Sequence, residues 1–236
     1  MSGHVDFSRP LFLAVIVGWI ISVILHEFAH GLVAWWGGDY TIKERGGLSL
    51  NPLQYIDPVF SLIIPAVIFA LGGIPLPGGV TYIHRELLRN RAWDVAVSLA
   101  GPAMNMLLFI ACAVPLHPAF GWVDPTAPVD SYSNAQLFLG AMAVLQLMAV
   151  LYNLVPVPPL DGFQAISPFL PFEWRMKLTT PPLSSFLFFA YFMVLWRAGV
   201  TPKVLDGLES LLSVTGFEPY SRVFFERAYY RCLVGQ

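Results

Sequence analysis

The chain has 236 residues, of which 56% are hydrophobic and 12% charged, with a formal net charge of −2. Soluble domains carry about 25% charged residues, so this composition describes an integral membrane protein and not a soluble domain with a large core. It excludes a basic surface for nucleic acid, and two cysteines, Cys112 and Cys232, provide no disulfide framework.

A membrane helix needs about 20 mostly apolar residues, and five stretches approach that length. The first runs from Pro10 to Trp36. Arg9 precedes it, but no small-residue cleavage pattern follows, so it is read as a retained helix and not as a signal peptide. It contains HEFAH, residues 26–30. The loop 37–57 holds Lys43, Glu44, Arg45 and Gly46-Gly47, then LSLNPLQYID, which reads as a short strand and turn. The second apolar stretch, 58–73, is short and contains Pro65. Residues 74–91 are turn chemistry followed by a basic segment. The third stretch, 92–116, carries GPAMN, and 117–134 contain no Lys or Arg. The fourth, 135–156, runs into NLVPVPPLDG, where prolines should end the helix. The fifth covers 183–200, and the tail segment PKVLDGLESLLSVTG has the spacing of an amphipathic interfacial helix. The expected fold is an all-α integral membrane protein with about four to six transmembrane helices. It forms a single membrane-embedded domain over 1–236, with a core at 10–165 and an accessory helix and tail at 166–236.

His26 and His30 are four residues apart, so a helix places both imidazoles on one face, where they can share a metal ion. Zinc suits imidazole nitrogen, and a catalytic site needs three protein ligands and one open position. Glu27, beside the first histidine, is poorly placed to bind the same ion and can instead take a proton from an attacking water. Each ionisable group costs on the order of 2.5–3.5 kcal/mol at mid-bilayer, so three on one membrane helix favour a functional site over satisfied core residues. The third ligand should be a carboxylate at a membrane edge. Asp161 follows the proline break at a cavity-like position, where broken backbone is tolerated only if protein or water lines it; it could equally cap a helix starting at Gly162. Gly101-Pro102 permits close helix approach. Asn105 could donate to a developing oxyanion or serve as interhelical glue. His4, His84 and His117 read as surface or loop groups.

HEFAH, GPAMN and NLVPVPPLDG, in that order, resemble the site-2 protease family of intramembrane zinc metalloproteases. GGLSLNPLQYIDPVFSLIIP is similar to the compact prokaryotic branch of that family, without PDZ or CBS domains. The resemblance covers roughly residues 20–165. It implies one zinc per chain held by His26, His30 and Asp161, with Glu27 as general base and acid. It further implies that Asn105 supports the transition state and that Asn153 lies by the substrate, a transmembrane helix of another membrane protein in the lipid bilayer. LPGGVTY, residues 76–82, resembles the family's small re-entrant β element between the first helix and the GPxxN helix. The edge of that element at Gly78 and Gly79 could hold an extended substrate by backbone hydrogen bonds. No nucleic acid is implied.

If the three ligands meet, they approach from the face carrying residues 37–57, 77–91 and 157–182, and 58–73 is expected to dip in and return; were it to span instead, the N-terminus would be inside and the charge counts before the tail would still be tolerable. That face carries Lys43, Arg45, Arg85, Arg89, Arg91, Arg175 and Lys177, so the positive-inside rule makes it cytoplasmic. Lys203, Arg222, Arg227 and Arg231 in the tail count against this assignment. The expected location is the cell membrane, multi-pass, with the site nearer the cytoplasmic face. Two rival readings are a membrane metal transporter, which needs a further polar path for which Gln136 and Gln146 are the candidates, and a catalytically silent protein that holds transmembrane helices.

Overall fold

The structure is a computed structural model that describes residues 10–70, 78–124, 127–197, 206–207 and 221–233. The described helices are α1 (Pro10–Gly37), α2 (Ile64–Ala70), α3 (Arg91–Ala113), α4 (Asn134–Asn153), α5 (Asp161–Ile166), α6 (Phe172–Thr179), α7 (Leu183–Arg197) and α8 (Ser221–Leu233). Their boundaries follow local chemistry. Pro10 is the first described residue of α1, a position where a missing N–H is tolerated. Asn90 caps α3 by accepting from the Trp93 N–H at 3.1 Å. Ser133 and Gln136 form a capping box at the start of α4.

Among the described residues, three helices are long and apolar enough to cross a membrane: α1, α3 with the turn that extends it to Leu116, and α4. They mark the chain as a membrane protein. The expected count of four to six is not reached there. The described part of α7 has 15 residues, and residues 198–205 lie outside the described set. The stretch 58–70 is a six-residue π-helical turn, Pro58–Ile63, followed by the seven residues of α2. The chain comes back beside the point where it left. Ser61 Oγ donates to the Gly78 carbonyl at 2.7 Å, the Val80 N–H donates to the Tyr55 carbonyl at 3.0 Å, and the Tyr82 hydroxyl donates to Asp57 at 2.8 Å.

The small β element expected around Gly78 and Gly79 is not formed: the described residues contain no strand. Segment 78–84 is irregular backbone. The Val80 N–H donates to a loop carbonyl, that of Tyr55, and among the described residues no strand pairs with it; Leu76 and Pro77 of the expected element lie outside those residues. The strand expected in LSLNPLQYID is likewise replaced by turns, with a 3-10 turn at Pro52–Gln54.

α4 is the centre of the molecule. Residues 141–150 are all buried, so α4 has no polar face and must be covered on every side. α1 and α3 cover two sides. α3 runs antiparallel to α1, because His30 meets Val97 whereas Gly37 packs on Trp93. α8 covers the first half of α4, burying Phe224, Phe225 and Ala228. A Cβ on Gly140 would sit 2.8 Å from that of Ala228, so the glycine permits this close approach. The C-terminal helix thus completes the core at the end of the bundle away from HEFAH.

At the other end, Asp39 ties two loops together. Its carboxylate accepts from Thr41 Oγ1 at 2.5 Å, Arg45 Nη2 at 2.8 Å and the His84 N–H at 2.9 Å. Burial alone would raise the Asp39 carboxyl, but these donors outweigh it and hold it below the ordinary carboxylate value.

Candidate metal centre

α1 carries His26, Glu27 and His30 inside the bundle, all three buried. One helical turn separates the imidazoles, whose ring centroids are 4.7 Å apart and nearly perpendicular. Each Nδ1 meets an oxygen on α3. That of His30 donates to the Val97 carbonyl at 2.6 Å, and that of His26 faces Asn105 Oδ1. Each oxygen can accept from an N–H at Nδ1, an arrangement that leaves the Nε2 lone pair of each imidazole free to face inward. The two Nε2 atoms lie 3.1 Å apart.

Asp161 completes the convergence. It is the first residue of α5, and its side chain caps nothing there: the cap position is Leu160, without a side-chain cap. Its carboxylate instead reaches the histidines, with Oδ2 3.2 Å from His26 Nε2 and Oδ1 3.3 Å from His30 Nε2. The chain is folded back tightly to bring it there. The Val157 N–H donates to the Val155 carbonyl, the Leu160 N–H donates to the Val157 carbonyl, and a Cβ on Gly162 would sit 2.1 Å from the Leu154 carbonyl oxygen. Only glycine lets α5 pack on the end of α4 at that distance.

This arrangement fits a divalent cation. Two imidazole lone pairs and a carboxylate, with ligand atoms all within 4.8 Å of one another, repel each other unless a positive charge lies among them. The donor set, two nitrogens and one carboxylate, is that of a zinc site with one coordination position left open. The space is also reserved. A Cβ on Gly101 would fall 2.3 Å from His30 Nε2 and 2.4 Å from His26 Nε2. The glycine of GPAMN therefore leaves room against the two nitrogens that must bind the ion.

Glu27 stands outside the three-ligand cluster. It is beside segment 78–81: a Cβ on Gly79 would lie 3.0 Å from Glu27 Cγ and 3.4 Å from its Oε1, and Thr81 Oγ1 donates to the Glu27 carbonyl at 3.1 Å. A carboxylate that neighbours the ion without binding it can accept a proton there. Gly78 is tied through its carbonyl to Ser61. Asn153 is the half-buried last residue of α4, on the segment leading to Asp161.

Asn105 bridges three helices, as its reading as interhelical glue expects. Its oxygen faces His26 and its NH2 donates to Gln146 Oε1 at 2.6 Å, so both ends of the amide are engaged within the protein. The contact of Gln146 with Asn105 was not read from the sequence, although a glutamine within an otherwise apolar helix is a visible signal. Of the other histidines, His84 pairs with Glu86 and His117 accepts from the Ala119 N–H. His4 lies outside the described residues.

No family model and no solved structure matches the chain. Curated relatives do. The Mycolicibacterium smegmatis protein named "Putative zinc metalloprotease Rip2" is 42% identical over 187 residues, which is 77% of this chain and 69% of that one. The Rip2 protein of Mycobacterium tuberculosis is 36% identical over 87% of this chain and 79% of its own length. YwhC of Bacillus subtilis, under the same description, is 32% identical over 91% of this chain and 96% of its own length. With a pre-shaped two-histidine, one-aspartate centre behind HEFAH, GPAMN and LDG, and relatives of this extent, the chain belongs to the site-2 protease family and is a zinc metalloprotease.

Proposed function

We propose that the chain hydrolyses peptide bonds within or next to transmembrane helices of other membrane proteins. It would do so as a multi-pass protein of the cell membrane, with its centre nearer the cytoplasmic face. One observation carries this reading: two of the cluster's three ligand residues, His26 and His30, sit within a helix that is itself long and apolar enough to cross the bilayer. At about 1.5 Å per residue, His26 is roughly 16 Å from the Gly37 end of α1. A substrate bond reaching the cluster would then lie beside the membrane-spanning part of α1.

His26, His30 and Asp161 would hold one zinc ion, which when bound activates water and polarises a carbonyl. Glu27 takes the proton of the attacking water and returns it to the leaving nitrogen, acting in turn as base and acid. A substrate helix must first unwind, since its carbonyls are committed to intrahelical bonds. The irregular segment at Gly78 and Gly79, beside Glu27, would serve as the edge along which an unwound strand lies, and Asn153, on the segment leading to Asp161, would contact the substrate. Asn105 acts by orienting His26.

A transporter would need Gln136 and Gln146 as a polar path. Instead Gln136 serves the α4 cap and donates to the Trp122 carbonyl, and Gln146 accepts from Asn105. A silent binding protein has no use for Glu27 beside a complete ligand set.

Mapping of new protein N-termini tests the reading. Purified full-length chain is reconstituted with membrane vesicles from cells that lack it. New termini are expected within or next to transmembrane segments, and they should vanish with 1,10-phenanthroline and return on adding zinc. New termini confined to soluble domains, or cleavage unaffected by the chelator, would rule out the proposal.

A further inference from the structure

The two zinc-facing histidines are oriented by different means. His30 is held by a backbone carbonyl, that of Val97, which cannot turn. His26 is held by the side-chain amide of Asn105, which can. A primary amide offers an oxygen on one side and an NH2 on the other, and a half-turn exchanges them. Something must decide which end faces the imidazole.

We propose that Gln146 is a positioning residue for the metal centre, acting through Asn105 to fix which nitrogen of His26 carries the proton. The inference rests on the zinc site described above. It is carried by the Asn105 NH2 donating to Gln146 Oε1 at 2.6 Å while the Asn105 oxygen faces His26 Nδ1. The chain of bonds has one consistent direction. His26 Nε2 lies among the ligand atoms and must offer its lone pair to the ion, which requires the proton on Nδ1. That N–H needs an acceptor, so Asn105 must present its oxygen. Its NH2 then points toward α4 and needs an acceptor of its own, which Gln146 Oε1 supplies.

Three features indicate that Gln146 is kept for this oxygen. It is fully buried, in a run from Ala141 to Val150 that is otherwise entirely apolar. Its own NH2 has no hydrogen-bond partner among the described residues, so the site tolerates an unsatisfied donor in order to keep the acceptor. It also comes from α4, so the orientation of a ligand on α1 depends on the packing of three helices. With an apolar residue at 146, the buried NH2 of Asn105 would lose its partner. The cheaper arrangement turns the amide over, sets its NH2 against His26 Nδ1, and moves the imidazole proton to Nε2, where it blocks the ligand lone pair.

The test uses purified full-length chain in detergent, with zinc affinity measured by chelator competition and the visible spectrum of the cobalt(II)-loaded protein as a second readout. Gln146→Met keeps the side-chain volume and removes the oxygen. It should weaken zinc binding by about 10-fold, the lower end of what outer partners of metal ligands contribute, and alter the cobalt spectrum. Gln146→Glu retains an acceptor oxygen and should bring zinc affinity back to within about threefold of wild type. In an Asn105→Ala background, Gln146→Met should cause no further loss, since the effect passes through Asn105. Unchanged affinity and spectrum in Gln146→Met would overturn the proposal, and so would an equal loss with and without Asn105. A wild-type chain that binds no zinc would overturn the underlying zinc reading instead, so the two failures are distinguishable.

Discussion

Replacing Glu27 by glutamine is expected to lower peptide-bond cleavage by about 10²–10⁴-fold, the range for loss of a general acid–base group, while zinc stays bound. Glutamine has nearly the same shape but cannot take a proton from water. The environment supports a functional and not a structural carboxylate. Glu27 is buried within α1, outside the His26–His30–Asp161 cluster, and faces the backbone at Gly79. Cleavage rates measured on any substrate found by N-terminal mapping, together with zinc content, separate the possibilities. Cleavage within a factor of about ten of wild type would remove the assigned role. Loss of zinc would make Glu27 a ligand.

Gly101→Ala should abolish zinc binding while leaving the helices intact. The added methyl would lie 2.3 Å from His30 Nε2 and 2.4 Å from His26 Nε2, inside van der Waals contact with the two nitrogens that must share the ion. The imidazoles can yield only by swinging away, and each is held from behind by α3, through Val97 and Asn105. Because both ligands are displaced together, zinc affinity should fall by at least about 100-fold, the upper end of the range for losing one outer partner. Alanine is the better helix former by about 1 kcal/mol, so helix propensity gives no reason for α3 to unfold. Chelator competition and far-ultraviolet circular dichroism on the same samples check both halves. Wild-type zinc affinity would show that Gly101 does not border the ion.

Much of this centre was legible in the residues. The spacing of HEFAH put two imidazoles on one face, and the cost of burying them in an apolar helix argued for a metal. The proline break before Asp161 marked where a third ligand could enter, and the structure brings Asp161 to that place. Asn105 was harder to read. An amide in an apolar helix can donate or accept, and sequence cannot say which end points where. The answer depends on the lateral register of α4 against α3, which places Gln146 behind it. Gly101 was legible as a site of close approach but not as space reserved beside two nitrogens, because its neighbours are on another helix. The stretch LPGGVTY suggested a β element, yet strand formation needs a partner that local sequence does not supply, and Val80 bonds to a loop carbonyl instead. The tail carried no diagnostic motif, yet α8 buries Phe224 and Phe225 against α4 and completes the core.

Zinc stoichiometry of the purified full-length chain, measured by elemental analysis for wild type, His26→Ala and Asp161→Ala, tests the central claim most directly. Wild type should hold about one zinc per chain and either variant close to none. Full zinc occupancy in Asp161→Ala or His26→Ala would contradict it.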